Sequence, residues 1–417
     1  MSLKDLICGL DIGSDNVRLV VGQRILQESD KLHIIGAAEA EAEGITKGVI
    51  VSLEDAISSI SACIEKAERM TGRAIEQVWV GISGSHIISQ ESKGVVAVAK
   101  ANSEINEDDV HRAIEAARTV ATPPNYEILH VIPKSFIVDG QKGIKDPIGM
   151  TGIRLEVDTQ IIQGLSSQTK NLTKAVYRTG LEIQDIVLSI LATSEAVLTN
   201  RQKELGVAVI NIGGSTTSMA VFEEGDVLQT VNLPIGSEHI TSDIAIGLRI
   251  SIDAAEKIKL EYGSALPREI SKRDEVDIGE LNNTESVFIS RRYIAEIIEA
   301  RVEEILEKID LELKKIDRDG KLPAGIVLTG AGAKLTGLVD LAKSKLRLPA
   351  CLGYPLGISS AVEKINDPAF ATAVGLVLWG AALENQEEPG ILRNFFGKIR
   401  ITGGITKKFK NLIKSLR

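Results

Sequence analysis

The feature that most restricts the fold of this chain is a pattern it uses twice: an apolar strand, a glycine turn, and a second apolar strand. Residues 9–22 read GLDIGSDNVRLVVG and residues 209–222 read VINIGGSTTSMAVF. Apolar runs bounded by glycine and small polar residues predict strands joined by tight turns. A third strand ends in glycine in the same way, residues 325–332, GIVLTGAG. The organisation therefore repeats, and 417 residues leave room for two or three domains.

Residues 6–13, 16–25 and 31–38 read as three antiparallel strands. A helix then runs from about Ser52, an N-cap ahead of Glu54 and Asp55, to Met70, with Gly72 at its end. A strand is expected at 77–82 and a helix at 166–179. The segment 85–164 reads as an inserted module with a strand near 94–100, a helix over 106–120 and a loop at Pro123 and Pro124. A long charged helix is expected over 290–316. The uncharged stretch near 369–383 is too short to span a bilayer and reads as a buried helix. Three widely separated cysteines, Cys8, Cys63 and Cys351, fit neither a disulfide framework nor a zinc site. The N-terminus lacks an apolar signal core, so a cytoplasmic protein is expected.

A turn of glycine and small residues brings backbone N–H groups up to a phosphate, because glycine lacks the Cβ that would block the approach. Gly13, Ser14 and Asn16 of the first turn, with Gly213, Gly214, Ser215 and Thr216 of the second, fit two opposed phosphate-gripping turns. Asp11, just ahead of the first, is placed to hold Mg²⁺ through water, since that ion keeps several of its waters. Gly330, Ala331 and Gly332 would let an adenosine lie against backbone, with Lys334 beside it. The next glycine, Gly337, has the wrong spacing for a dinucleotide-binding turn. Glu256 and Lys259 lie one helical turn apart, spaced either to reach ribose and base or to form a surface ion pair.

Charge is unevenly placed. The net charge is −9, yet eight of the 48 lysines and arginines and none of the 57 acids fall in residues 391–417, leaving 40 basic residues against 57 acidic in the rest. An acidic body with 3% aromatics argues against a nucleic-acid partner. In the tail, Ile405, Phe409, Leu412, Ile413 and Leu416 share one helical face, and Lys407, Lys408, Lys410 and Lys414 take the other. Such a helix lies on an anionic membrane surface rather than crossing it. Docking on the protein's own surface is the alternative. Leu392, Phe395, Phe396 and Ile399 have the same helical spacing and are read as a second amphipathic segment, set off by Gly403 and Gly404 within a 385–404 linker.

These turns resemble the two phosphate motifs and the adenosine motif of the actin, heat-shock chaperone and sugar-kinase superfamily. Within it, VGISGSH (80–86), LHVIPKSFIVDG (129–140) and DPIGMTGIRLE (146–156) resemble the FtsA family of bacterial cell-division proteins. The resemblance covers essentially the whole chain. It implies an actin-like (ribonuclease H-like) two-lobed α/β fold with ATP and Mg²⁺ in the interlobe cleft. The subdomains would be 1A (1–84 and 165–199), an inserted 1C (85–164) for self-association and binding of later division proteins, 2A (200–236 and 302–384), and 2B (237–301). The linker 385–404 and the membrane helix 405–417 would follow. It also implies filaments that tether FtsZ to the membrane at the division site, with the FtsZ C-terminal peptide docking near Arg291, Arg292 and Arg301. A solvated helix face is the alternative for those arginines. Asn211 and Ser218 stand where the family's second phosphate motif carries acids, and residues 187–192 offer only Ser189 to orient a water. Tight nucleotide binding with slow turnover is therefore expected. A pilus-assembly adaptor and a small-molecule kinase of the same superfamily are the alternatives.

Overall fold

In the computed structural model, which describes residues 6–25, 31–98, 103–119, 122–281, 286–360, 362–384 and 400–401, the first repeat is an antiparallel meander. Strand Leu6–Ile12 pairs with Asn16–Ile25, and Asn16–Ile25 with Lys31–Glu41. Helix Leu53–Thr71 covers one face with Ala56, Ile60, Cys63, Ile64 and Ala67, a single helical stripe. It starts after Ser52, as expected, and ends at Gly72, whose φ of +66° is the left-handed stop that glycine takes without strain. Strands Gln77–Ile82 and Glu182–Leu188 extend the sheet in parallel beyond Leu6–Ile12.

The second repeat copies this plan. Val207–Ile212, Thr217–Glu223 and Asp226–Leu233 form the meander, and Ile326–Thr329 and Ala350–Leu352 add in parallel. Helices Ser237–Leu248 and Ile252–Tyr262, a short hairpin of Glu275–Asp277 with Phe288–Ser290, and the long helix Arg291–Lys315 share one core with this sheet.

The division at residue 384 needs correction. Residues 302–384 are expected in the second lobe, but strand Ser359–Ser360 joins the edge of the first sheet at His33 and Ile34. Helix Ala371–Glu384 then buries Val374, Leu376, Val377 and Trp379 in the first lobe's core. Gly9 permits this docking, since a Cβ there would lie 2.3 Å from the Ala373 carbonyl oxygen. The helix is buried, as its composition predicts.

The insert folds as Ile87–Ala97, Tyr126–Val138 and Arg154–Leu165, antiparallel, with its own core of residues such as Phe136, Leu155 and Ile161. Its helix, Glu107–Ala117, begins in a capping box between Asn106 and Asp109. Strand Arg400–Ile401 adds to the insert's edge opposite Val131 and His130. The rest of the 385–404 linker and the whole of 405–417, expected to be the membrane helix, lie outside the described residues. Among those described, no helix is long and apolar enough to cross a membrane.

Candidate functional site

The two turns close with the same bond. Gly13 N–H donates to the Asn16 carbonyl at 3.1 Å, and Gly213 N–H to the Thr216 carbonyl at 2.9 Å. The second turn is fixed from behind, where the amides of Ser237 and Glu238 each donate at 2.9 Å to the carbonyls of Gly213 and Gly214. The turns meet across the lobes: a Cβ on Gly214 would stand 2.3 Å from Asp15 Oδ2. The third turn seals one side. Gly330 has φ +89°, and a Cβ there would lie 2.2 Å from Asn211 Oδ1.

One pocket is lined by Asp11, Gly13, Ser14 and Asn16 from the first turn, Gly213, Gly214, Ser215 and Thr216 from the second, and Gly330 and Ala331 from the third. Four expected residues are not part of that lining. Gly332 packs against Ile212 and Ser237. Lys334 pairs with Asp367 at 2.7 Å. Glu256 and Lys259 are joined at 2.6 Å, with the Thr241 hydroxyl between them, and Lys259 Nζ reaches the Ser237 carbonyl at 3.5 Å.

Burial pushes the Asp11 carboxyl up to about 6, while Arg18, also in the lining, pulls it back down. Asp15 goes further, to about 7, first through burial and then through the hydrogen bond and charge of Glu238. Burial also raises Glu238, but the hydrogen bonds it accepts from Asp15 and Ser215 outweigh it and hold that carboxyl below its usual range. Below about pH 7 the pair therefore holds one proton, and it rests on Asp15. Ser215 Oγ donates to Glu238 Oε2 at 2.6 Å, which ties the second turn to the helix behind it, and the Asp15–Glu238 hydrogen bond brings in the first turn.

Asn211 Nδ2 donates to Thr372 Oγ1 at 3.2 Å, and Ser218 Oγ to Asn232 Oδ1 at 2.7 Å. The Ser189 hydroxyl is buried without a hydrogen-bond partner. It and Asp11 flank Gly81, whose missing Cβ would stand 2.8 Å from Ser189 Oγ and 3.5 Å from Asp11 Oδ1. The glycine-lined cradle, the orphaned hydroxyl and the buried carboxylate fit a polyphosphate accompanied by a divalent cation. Sequence reasoning assigned no role to Asp15, Arg18 or Glu238.

The arginines of the long helix already have partners. Arg291 donates to the Tyr262 carbonyl at 3.0 Å and to Asp274 at 3.1 Å. Arg301 forks onto Asp243 at 2.5 and 2.8 Å, and Arg292 approaches Glu296 at 3.4 Å. Beside them Val287, Phe288 and Tyr293 are exposed, an apolar cluster that charge reading missed.

Two family models match the chain: "Cell division protein FtsA" over residues 208–375, and "SHS2 domain inserted in FTSA" over residues 84–163. The Bacillus subtilis cell division protein FtsA is 40% identical over 90% of this chain and 84% of its own length. The Borreliella burgdorferi FtsA is 38% identical over 98% of each, and that of Escherichia coli K12 32% identical over 99% and 98%. Among solved structures, the PilM-PilN type IV pilus biogenesis complex superposes with a TM-score of 0.66 at 17% identity, over 92% of this chain and 99% of that one. MreB5 of Spiroplasma citri bound to ADP gives 0.56 at 14% identity, over 92% and 99%. These last two carry the fold alone, and it is the actin-like one that the repeated turns led us to expect.

Proposed function

The chain belongs to the cell division protein FtsA family, and on that premise we propose that it binds ATP with Mg²⁺ between its two hairpin turns, self-associates, and ties the FtsZ C-terminal peptide to the cytoplasmic face of the membrane. The observation that carries the nucleotide reading is the meeting of three glycine turns in one pocket. The fold neighbour MreB5 was solved with ADP, which supports the same reading.

The amides of the two turns would bind the phosphates, and the Ala331 turn would face the adenosine. Bound Mg²⁺ supplies positive charge that offsets the phosphates and the nearby carboxylates. Asp11 would help to hold that ion through its water. Asn211 and Ser218 spend their polar atoms on neutral hydrogen bonds, so the second turn brings no carboxylate to activate water. Turnover is slow for that reason, and the protein acts as a switch and adaptor.

Docking of the FtsZ peptide uses Phe288, Tyr293 and Val287 for its apolar residues and Arg292 for an acid. Arg291 and Arg301 hold the surface in shape through Asp274 and Asp243. The insert serves self-association and later division partners, and residues 405–417 rest on anionic lipid.

Full-length protein, a fluorescent ATP analogue, FtsZ and anionic vesicles test this together. ATP should bind saturably with Mg²⁺, and FtsZ should co-sediment with vesicles only when this protein is present. Phosphate release at several turnovers per minute would overturn the switch reading. Phe409→Glu should weaken vesicle binding less than deletion of residues 391–417; an equal loss would rule out a second inserted segment.

A further inference from the structure

The insert rests on the second lobe. Its sheet faces the hairpin of Thr217–Glu223 and Asp226–Leu233 across a cleft of about 540 Å³. Lys145, just after strand Gln141–Ile144, reaches the tip of that hairpin. Its Nζ donates to the Glu224 carbonyl and stands 3.6 Å from the Asp226 carboxylate and 3.9 Å from that of Glu224. The insert's other facing charges are paired at home, Lys93 with Asp158 at 3.3 Å and Lys134 with Glu91 at 2.7 Å.

The tip itself is stiff. Glu224 (φ +53°) and Gly225 (φ +81°) make a left-handed two-residue turn of the kind that matches strand twist. Their amides donate at 3.1 Å to the carbonyls of Glu204 and Lys203. The same hairpin begins at the second phosphate turn, so the turn at one end and the tip held by Lys145 at the other belong to one rigid unit about 23 Å long. At the phosphate end, the Asp15 carboxylate bridges the turns: it lies where a Cβ on Gly214 would be and is hydrogen-bonded to Glu238. A triphosphate gripped from both sides must break that bridge.

We propose that Lys145 is a latch through which the insert follows the gap between the phosphate turns: it holds the hairpin tip while the turns touch, and lets go when a nucleoside triphosphate spreads them. This rests on the ATP reading above. The insert's outward surface then changes position with nucleotide, which makes assembly through that surface depend on ATP. Coupling of this kind is reciprocal, so weakening the latch must favour the nucleotide-bound state.

The test uses the full chain, Mg-ATP titration, and hydrogen exchange of the amides in 141–146 and 223–228. Lys145→Glu should tighten ATP binding about two- to fivefold, the scale of a half-exposed ion pair, and Lys145→Arg should leave it unchanged. Pairing Lys145→Glu with Asp226→Lys should restore the original affinity, which a folding defect would not. In the unaltered chain ATP should speed exchange in both segments, and in Lys145→Glu those segments should exchange fast already. Saturable ATP binding with the same affinity and exchange in all variants overturns the latch alone. Absence of saturable binding in the unaltered chain overturns both the latch and the ATP reading.

Discussion

Protonating His130 should break a buried hydrogen bond between the insert and the first lobe. His130 lies fully buried in strand Tyr126–Val138, and its Nε2 accepts the Leu188 N–H at 2.9 Å. Leu188 ends its strand directly before Ser189, so this bond braces the pocket wall. An imidazolium has no lone pair to offer that amide, and burial holds the His130 pKa down from 6.5 to about 4. The unfolded chain therefore binds a proton between pH 6.5 and 4 that the folded chain refuses. Stability from this group is complete above pH 6.5 and drains away as pH falls towards 4, worth about 3 kcal/mol in full. Asp11, Asp15 and Asp185 run the other way. Burial raises them to about 6, 7 and 7, so the folded state keeps their protons and gains stability from them as pH falls from 7. The absolute pH profile mixes both signs, and a difference isolates His130. His130→Gln keeps an acceptor near the Leu188 amide but does not titrate. Urea unfolding at pH 7.5 and 4.5 should show the gap between the two proteins shifting by about 2.5 kcal/mol in favour of His130→Gln at the lower pH. Stability curves that stay parallel between those pH values would refute the reasoning.

Two further substitutions probe the pocket and its frame. Gly330→Ala forces an L residue into φ +89° and drives a Cβ against Asn211, so it should cost about 2–4 kcal/mol and weaken ATP binding at least tenfold; thermal unfolding and ATP titration read both, and unchanged affinity would remove the third turn from the site. Glu195→Gln takes away the carboxylate 2.6 Å from Lys203, in a pair whose side chains are each 6% exposed, and should cost about 3–5 kcal/mol by urea midpoint. Joining Lys203→Met to Glu195→Leu should recover most of that loss, because the charge left unpaired, more than the missing attraction, is what destabilises.

Much of the local structure was readable because short-range chemistry decides it. Gly13 and Gly213 mark turns that close by the same bond, and Gly72 and Asn106 mark helix ends where steric freedom and capping favour them. Helix Ala371–Glu384 was readable as buried but not as belonging to the first lobe. It is apolar all round, so no stripe indicates which sheet it covers. The choice is made by Gly9 and Gly375, which let backbones touch and look like ordinary spacers in the sequence. The acid pair was hidden for a related reason. Asp15 and Glu238 are more than two hundred residues apart, and each alone is a polar residue near a turn. Only when the lobes close does Asp15 come to lie on Gly214 within hydrogen-bond reach of Glu238. With both ionised, two like charges would be pressed together at the point where the turns meet. A proton on Asp15 relieves that repulsion while the turns are in contact, and on the ATP reading a cation bound with the triphosphate would offset the same carboxylates. On that reading, the acids that make the site look unsuited to phosphate are the reason phosphate would enter together with a metal.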